Sequence, residues 1–215
     1  MDGEYLDRCC LCDNVYLQHV LHLKATPPAN EFFKKPVEQE HYPLDLIQCQ
    51  DCGHVQLSFA VNPEVLFKNY AYVSGTSPVF VKHLDDLAAT LIKRFELTNN
   101  DLICEIGSND GTLLQSFKDK GVTQVIGIDP ANNLAVEANK KGIKTIAAFF
   151  DENVAHSIST VSGKAKLVVA NNVFAHAKDL KSILQGVKKL LTNDGVFVFE
   201  ISYLVDVLQK TLFDT

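Results

Sequence analysis

The stretch DLICEIGSNDGTLLQSFKDKGVTQVIGID, residues 101–129, decides the fold of this chain. It contains an apolar run at 102–106, a glycine-bounded loop at 107–111, a helical pattern at 111–120 and a second apolar run at 125–128. Continuous apolar runs of this length are typical of strands buried on both faces of a sheet, and two such strands joined by a helix run parallel. The stretch therefore predicts a strand–helix–strand unit of an α/β domain.

The same alternation continues towards the C-terminus, and an amphipathic helix at 79–96 precedes it. We predict further strands and helices at 144–147, 167–170 and 196–199, and at 131–141, 151–160, 178–191 and 201–213. Helices between parallel strands cover both faces of the sheet. The predicted fold class is α/β, a Rossmann-like sheet of about five strands.

Residues 1–62 have a different texture, with prolines, cysteines and short apolar runs but no sustained amphipathic periodicity. This composition indicates a small, loop-rich module. We therefore divide the chain into this module at 1–62, a linker and helix at 63–96, and the α/β domain at 97–215.

Two C-x2-C motifs in the small module have the ligand spacing of a structural zinc site. Four thiolates complete a tetrahedral site, and the predicted ligands are Cys9, Cys12, Cys49 and Cys52. Gly53 follows the second motif and accepts the left-handed backbone that such turns require. Cys10 is an alternative to Cys9, His54 is a ligand only if one cysteine is not, and four unrelated buried thiols are the simplest alternative.

Charge and composition restrict the function classes. The 215 residues contain 26 acidic and 20 basic side chains, so the cationic surplus of a nucleic-acid or bilayer binder is missing. The acidic N-terminus does not resemble a signal peptide, and no apolar stretch reaches the roughly 20 residues of a membrane span. We expect a monomeric cytoplasmic protein with reduced cysteines and no nucleic-acid or membrane partner.

The loop after the first strand is a candidate cofactor site. Its residues Gly107, Ser108, Asn109, Asp110 and Gly111 lie between a strand and a helix, Glu105 precedes them, and Asp129 ends the next strand, where a carboxylate can bind ribose hydroxyls. The loop lacks G-x-G-x-x-G, and Asp110 would repel a pyrophosphate, which disfavours NAD. S-adenosylmethionine (SAM) has no phosphate and carries an ammonium, so acidic neighbours suit it. A helix-packing turn without a ligand is the alternative.

Polar residues also follow the apolar strand at 167–170. Asn171 and Asn172 can offer amide and carbonyl groups to a cofactor, and His176 can reach a substrate. These residues fall beyond the carboxyl end of a strand, where open parallel sheets bind ligands. An asparagine-rich turn followed by an uninvolved histidine is the alternative.

Taken in order, these segments resemble the sugar C-methyltransferase family, SAM-dependent enzymes that methylate a ketosugar carbon in nucleotide-activated deoxysugar biosynthesis. The resemblance covers essentially the whole chain. It rests on the two C-x2-C motifs, PPAN at 27–30, YPLDLIQCQDCGHVQL at 42–57, LFKNYAYVSGTS at 66–77, CEIGSNDGTLL at 104–114, GIDPANN at 127–133 and NNVFAHAKDL at 171–180.

The resemblance implies zinc on the four cysteines and SAM contacts from Gly107, Asn109, Asp110, Asp129, Pro130 and Asn171. It places Tyr72 and His176 towards the sugar, and it implies a substrate of the dTDP-4-keto-deoxyhexose class. Tyr72 as a core tyrosine is the alternative reading of that residue. A zinc-ribbon scaffold without activity, and a methyltransferase with a nitrogen or oxygen acceptor, are the alternative functions.

Family members continue after LFDT into a Tyr-His-Glu-His segment that supplies the base, followed by further strands and another domain. We therefore expect this chain to correspond to an N-terminal part that binds SAM without turnover. His176 acting as the base is the main alternative to that expectation.

Overall fold

The computed structural model describes residues 1–212. The chain divides into two compact units. The first comprises Met1–Tyr72 and Lys178–Lys181, and the second comprises the remainder.

The first unit is mainly antiparallel β-structure. Its elements are β1 (Gly3–Tyr5), β2 (Leu17–Thr26), β3 (Tyr42–Cys49), β4 (Val55–Leu57), β5 (Phe59–Val61) and the short helix α1 (Pro63–Phe67). Strands β2, β3 and β4 form one antiparallel sheet in that order, and β1 pairs with β5. More than half of residues 1–72 lie outside these elements, in keeping with a loop-rich module, but the long hairpin of β2 and β3 was not predicted. Nearly all residues of β2 are exposed, so neither face of the strand needs to be apolar and the sequence shows no alternation that would predict a strand.

The second unit alternates helices and strands, as the sequence predicts. Its elements are α2 (Pro78–Phe95), β6 (Ile103–Ile106), α3 (Thr112–Asp119), β7 (Val125–Asp129), α4 (Asn132–Lys140), β8 (Thr145–Ala147), α5 (Glu152–Ser162), β9 (Ala165–Asn171), α6 (Leu180–Leu190), β10 (Leu191–Glu200) and α7 (Leu204–Lys210). The last helix is shorter than the predicted 201–213, and Phe213 lies outside the described residues. Among residues 1–212, no helix is long and apolar enough to cross a membrane.

The helix α2 shows why local sequence sets these boundaries. The Ser77 hydroxyl accepts a hydrogen bond from the backbone of Phe80, and Pro78 supplies a preset first helical residue. Glu96 ends the helix in the left-handed conformation. The apolar face of α2 buries Leu84 and Leu91 in the core.

The five strands β10, β9, β6, β7 and β8 lie in that order and all run parallel. Apolar side chains fill a core on each face of the sheet. The chain leaves β6 towards β7 on one side, and β9 lies on the other side. Strand order therefore reverses at β6, and open α/β sheets bind ligands beyond the carboxyl ends of the strands at such a position.

Candidate cofactor cleft and metal centre

Four thiols meet in the first unit. The Sγ atoms of Cys9, Cys12, Cys49 and Cys52 all lie within 4.8 Å of one another. The Cys9–Cys52 and Cys12–Cys49 sulfur pairs are each 3.6 Å apart. Tetrahedral zinc with bonds of about 2.3 Å separates its sulfur ligands by about 3.8 Å, so the four thiols fit the ion.

The two C-x2-C motifs share one backbone geometry. The Cys9 N–H donates to Asn14 O and the Asp13 N–H donates to Cys9 O, both at 2.9 Å. The second motif repeats this pattern from Cys49 to His54 and from Gly53 to Cys49. Gly53 has φ of 75°, as the sequence predicts, and Asp13 occupies the equivalent left-handed position at 63°. Each motif is thus a tight turn that aims two sulfurs at one point.

Cys10 lies outside the four-thiol cluster, which resolves the choice between Cys9 and Cys10. Its backbone N–H donates to the side chain of Gln56 at 2.8 Å. Burial raises the pKa of the Cys10 thiol, with a further contribution from Cys9. Within the cluster the pKa values diverge: the backbone N–H of Cys52 lowers the pKa of Cys49 to about 7, whereas the backbone N–H of Asn14 is outweighed by burial and the neighbouring thiols, which raise the pKa of Cys12 to about 12. The position of the sulfur atoms, and not the pKa, therefore separates Cys9 from Cys10.

Glycines shape the loop after β6 in the second unit. Gly107 has φ of 69°, and a Cβ there would come within 2.2 Å of the side chain of Val173. Gly111 has φ of 80° and faces Ile143 in the same manner. Both positions require glycine, because the positive φ angle is unfavourable for residues with a side chain and the neighbouring side chains leave no room for a Cβ atom.

Asn109 and Asp129 link the ends of β6 and β7. The Asn109 N–H donates to Asp129 Oδ2 at 2.7 Å, and the Ala131 N–H donates to Asp129 Oδ1 at 2.8 Å. Asn109 itself has φ of 51°. Burial raises the pKa of Asp129, although these two backbone donors lower it in part. Each carboxylate oxygen retains a lone pair for a ligand hydroxyl.

The acidic residues differ sharply in their partners. Asp110 accepts a hydrogen bond from the Thr112 hydroxyl at 2.6 Å and pairs with Lys141 at 2.9 Å. Burial raises the pKa of Asp110, but these contacts outweigh burial and lower the pKa overall. Glu105 is 5% exposed, and its Oε2 atom has no hydrogen-bond partner among residues 1–212. Burial, followed by the charges of Asp129 and Asp110, raises the pKa of Glu105 well above its usual range.

Asn171 ends β9 opposite this loop. Both polar atoms of its side chain are buried, and neither has a hydrogen-bond partner in the described part of the chain. The Ser108 hydroxyl is also buried without a hydrogen-bond partner in the described residues. Buried polar groups cost about 1–3 kcal/mol when unsatisfied, so these atoms indicate a bound ligand. We call residues 105–111, 129 and 171 the cofactor cleft.

The remaining predicted site residues are Pro130, Asn172, His176 and Tyr72. Pro130 follows Asp129 and is half-buried, and Asn172 is exposed with φ of 53°. His176 lies in a short 3-10 turn, Phe174–His176, where partial burial of its ring lowers the pKa of the imidazole. Tyr72 is 43% exposed and ends the first segment of the first unit.

The structure adds contacts that the sequence reasoning missed. The Ser74 N–H donates to the Asn109 side-chain oxygen at 2.9 Å, so the turn Ser74–Thr76 binds the cleft loop. A Cβ on Gly75 would approach Asp110 Oδ2 to 2.6 Å. Lys141 neutralises Asp110 from the end of α4. Gly75 in the segment VSGTS could have indicated that another part of the chain packs closely against it. The sequence around Lys141 has no pattern that would have predicted its ion pair with Asp110.

Replacing the buried carboxyl in Glu105→Gln is expected to stabilise the ligand-free protein at neutral pH. The raised pKa means that the unfolded chain ionises first. Wild-type stability therefore falls as pH rises from the unfolded pKa of about 4.3 through the folded value. Glu105→Gln has no carboxyl at this position and does not lose stability in this way. The melting temperature of the variant should therefore exceed that of the wild type only slightly at pH 4 and by more towards pH 8.

Thermal melts across this pH range, with the exposed Glu137→Gln as a matched control, measure the effect. The difference in melting temperature between Glu137→Gln and the wild type should change little with pH. An advantage for Glu105→Gln that shrinks as pH rises would contradict the assignment of a destabilising buried carboxylate.

Comparison with known proteins divides the chain in two. Residues 9–67 match the family described as "Putative zinc binding domain", and residues 80–215 match the family described as "Methyltransferase domain". The C-methyltransferase NovU of Streptomyces niveus is 36% identical over 213 residues, which is 98% of this chain and 50% of NovU. The chain thus spans about half the length of this curated relative.

Solved structures share the fold. The PH0226 protein from Pyrococcus horikoshii OT3 matches with a TM-score of 0.53 and 17% identity, over 65% of this chain and 66% of that protein. The plantazolicin methyltransferase BpumL, in complex with a pentazolic desmethylPZN analog and SAH, matches with a TM-score of 0.50 and 13% identity, over 66% of this chain and 55% of BpumL. At these identities the likeness shows the fold alone.

These findings confirm the predicted α/β fold and the four-cysteine zinc-binding domain before it. They also confirm the family resemblance, because the methyltransferase-domain model and the similarity to NovU together cover most of this chain. The second unit, with its parallel sheet and its polar cleft at the switch point, is the part that the methyltransferase family model matches. The chain therefore belongs to the methyltransferase-domain family and carries a four-cysteine zinc-binding domain ahead of that domain.

Proposed function

We propose that this protein is a SAM-dependent C-methyltransferase that acts on a nucleotide-activated 4-keto-deoxysugar and methylates the carbon next to the keto group. The observation that carries the cofactor half is the buried Glu105 carboxyl, which has an oxygen without a partner in residues 1–212 and an unsatisfied Asn171 nearby along the sheet edge. The sugar half rests on the similarity to NovU and on the motifs at 66–77 and 171–180.

The cleft suits a zwitterionic ligand. Glu105 offers a carboxylate to an ammonium, which offsets the burial cost that now raises its pKa. Asn171 offers amide donor and acceptor atoms to the amino-acid end, and Asp129 offers its remaining lone pairs to ribose hydroxyls. The variant Glu105→Gln, which is expected to stabilise the ligand-free fold, should therefore weaken SAM binding.

The same charges disfavour a dinucleotide. A pyrophosphate needs backbone donors without nearby anions, whereas Glu105, Asp110 and Asp129 contribute three carboxyl groups and Lys141 neutralises one of them. NAD would bring further negative charge to this loop. The electrostatics thus support SAM over NAD.

The proposed reaction needs an acidic carbon. The keto group acidifies the neighbouring C–H bond, a base removes the proton, and the resulting carbanion equivalent attacks an electrophilic methyl group, which SAM supplies when bound. Tyr72 and His176 are proposed as the polar groups around the keto oxygen, where hydrogen-bond donors stabilise the enolate. Holding both reactants in line contributes about 7–11 kcal/mol to lowering such a barrier.

The direct assay incubates the protein with SAM and a nucleotide-linked 4-keto-6-deoxyhexose and examines the sugar by mass spectrometry. A mass gain of one CH2 unit, located by NMR on the carbon beside the keto group, identifies the proposed reaction, whereas the family resemblance leads us to expect SAM binding without turnover by these 215 residues. Methylation on oxygen or nitrogen would reject the acceptor assignment. An unmodified sugar in the presence of bound SAM would agree with binding without turnover, and failure of the nucleotide sugar to bind the SAM-loaded protein would reject the substrate class.

A further inference from the structure

A short turn of the second unit is held against the loop of the cofactor cleft. It is the 3-10 turn Ser74–Thr76, which lies before α2 and which we call the 74–76 turn. The Ser74 N–H donates to Asn109 Oδ1 at 2.9 Å, and the Asp110 N–H donates to the same oxygen at 2.9 Å. One side-chain oxygen therefore joins this turn to the loop after β6.

Asn109 also connects the turn with the carboxylate proposed to bind the ribose. Its backbone N–H donates to Asp129 Oδ2 at 2.7 Å, while its side chain binds the Ser74 N–H. Asn109 is only 9% exposed, so water competes little for these hydrogen bonds. A ligand that immobilises Asp129 therefore acts on a residue that contacts the 74–76 turn directly.

Gly75 in the 74–76 turn is required by space and not by its backbone angle. Its φ lies outside the left-handed region that favours glycine. A Cβ at this position would lie 2.6 Å from Asp110 Oδ2 and 3.1 Å from Thr112 Oγ1. A Cβ atom cannot come within 3.0 Å of another heavy atom without displacing it. The close approach of the turn to the loop thus depends on a glycine at this position.

Asp110 already has partners for both of its carboxylate oxygens. Oδ1 accepts a hydrogen bond from the Thr112 hydroxyl at 2.6 Å, and Oδ2 pairs with Lys141 Nζ at 2.9 Å and faces Gly75. Glu105 differs, since its Oε2 atom has no hydrogen-bond partner among residues 1–212. The cleft therefore offers a carboxylate oxygen to a ligand at Glu105 and not at Asp110.

A helix cap is the competing explanation for Asp110, because its Oδ1 atom binds the first residue of α3. A cap accounts for Oδ1 alone. It gives no reason for a glycine packed against Oδ2, the atom that Lys141 reaches from the end of α4. The oxygen that α3 does not use is therefore the one against which the 74–76 turn packs.

We propose that Asp110, Gly75 and Lys141 are positioning residues that hold the 74–76 turn closed on the cofactor cleft, so that methyl-donor binding and closure of the turn strengthen each other; this rests on the proposed function. The donor fixes Asp129 and, through it, the loop residue that binds the turn. Asp110 acts on the donor through the turn, whereas the family resemblance implied a direct SAM contact.

Linkage between the two events makes the proposal quantitative. If the donor binds the closed form more tightly than the open form by some factor, bound donor favours closure by the same factor. The Ser74 N–H forms one hydrogen bond to the loop, and one such bond changes an equilibrium constant by roughly 2- to 13-fold. We expect the factor to lie in this range.

Hydrogen exchange of the backbone amides at 73–76, with and without S-adenosylhomocysteine, tests the proposal. In the wild type, the ligand should slow exchange by about 2- to 13-fold. In Gly75→Ala the added methyl meets Asp110, so exchange should be faster without ligand and should not be slowed by it. Calorimetry should show weaker ligand binding to this variant, by the factor that exchange gives for the wild type.

Two controls match these variants. In an Asp110→Ala background the same methyl has room, so Gly75→Ala should cause no further change in exchange or binding. Lys141→Met should speed exchange at 73–76 and weaken ligand binding, whereas the exposed neighbour Lys140→Met should behave like the wild type. Thermal melting verifies that each variant is folded, and Lys141→Met carries the same test if Gly75→Ala is unfolded.

Three results would overturn the proposal. The first is a ligand that binds the wild type and leaves exchange at 73–76 unchanged. The second is a Gly75→Ala protein that exchanges and binds like the wild type. The third is an Asp110→Asn protein that loses ligand binding while its ligand-free exchange at 73–76 stays as in the wild type, because Asp110 would then contact the donor directly. Absence of calorimetric binding to the wild type would instead refute the proposed function, and this inference with it.

Discussion

Cys49→Ser is expected to cost the protein its zinc ion and the fold of its first unit. The first unit is small, and nearly all of β2 is exposed, so little apolar surface stabilises the hairpin that brings the two C-x2-C motifs together. Structural zinc in small modules binds with apparent free energies of about 10–16 kcal/mol, and much of this is folding free energy. Loss of one thiolate ligand should therefore release the ion and unfold the module.

Elemental analysis of protein purified without chelator should give one zinc per chain for the wild type and much less for Cys49→Ser. Circular dichroism and limited proteolysis should show the loss of structure before residue 73. Cys10→Ser is the matched control, because Cys10 lies in the same turn but outside the four-thiol cluster. A zinc-free wild type, or a folded and zinc-loaded Cys49→Ser, would refute the metal centre.

Asp129→Ala is expected to weaken SAM binding by roughly 1.5–3 kcal/mol, or about 10- to 150-fold in the dissociation constant. The substitution removes the acceptors proposed for the ribose hydroxyls. It also removes the acceptors for the backbone N–H groups of Asn109 and Ala131. Asp129→Asn keeps one acceptor oxygen and should bind SAM more tightly than Asp129→Ala.

The exposed Asp119→Ala, at the end of α3, serves as the control for a charge change on the same unit. Calorimetric titration of all four proteins compares them on one scale. If the dissociation constant of Asp129→Ala equals that of the wild type, the ribose binds elsewhere.

The second unit could be predicted closely from its sequence, because its strands are continuous apolar runs and its helices have clear ends. The strand predicted at 102–106 is Ile103–Ile106, and the helix predicted at 79–96 is Pro78–Phe95. In these segments, local propensity, burial and capping agree. The turn at Gly53 followed from the need for a left-handed backbone, and φ at this residue is 75°.

The first unit was harder to predict, since β2 is exposed on both faces and its apolar and polar residues show no clean alternation. The left-handed conformation of Asp13 was also missed, because aspartate adopts it less readily than the glycine in the second motif. Long-range polar contacts left no local pattern. Ser74 with Asn109, Lys141 with Asp110, and His83 with Glu200 are each joined only by the tertiary fold.

Calorimetric titration of the protein with SAM tests the central claim most directly. The account predicts one site per chain with a micromolar dissociation constant, no comparable heat with NAD, and weakened binding in Asp129→Ala. If the protein were instead a scaffold without activity, we would expect no SAM binding in this titration. Absence of binding at millimolar SAM, with zinc bound and the second unit folded, would contradict the assignment of residues 105–111, 129 and 171 as a methyl-donor site.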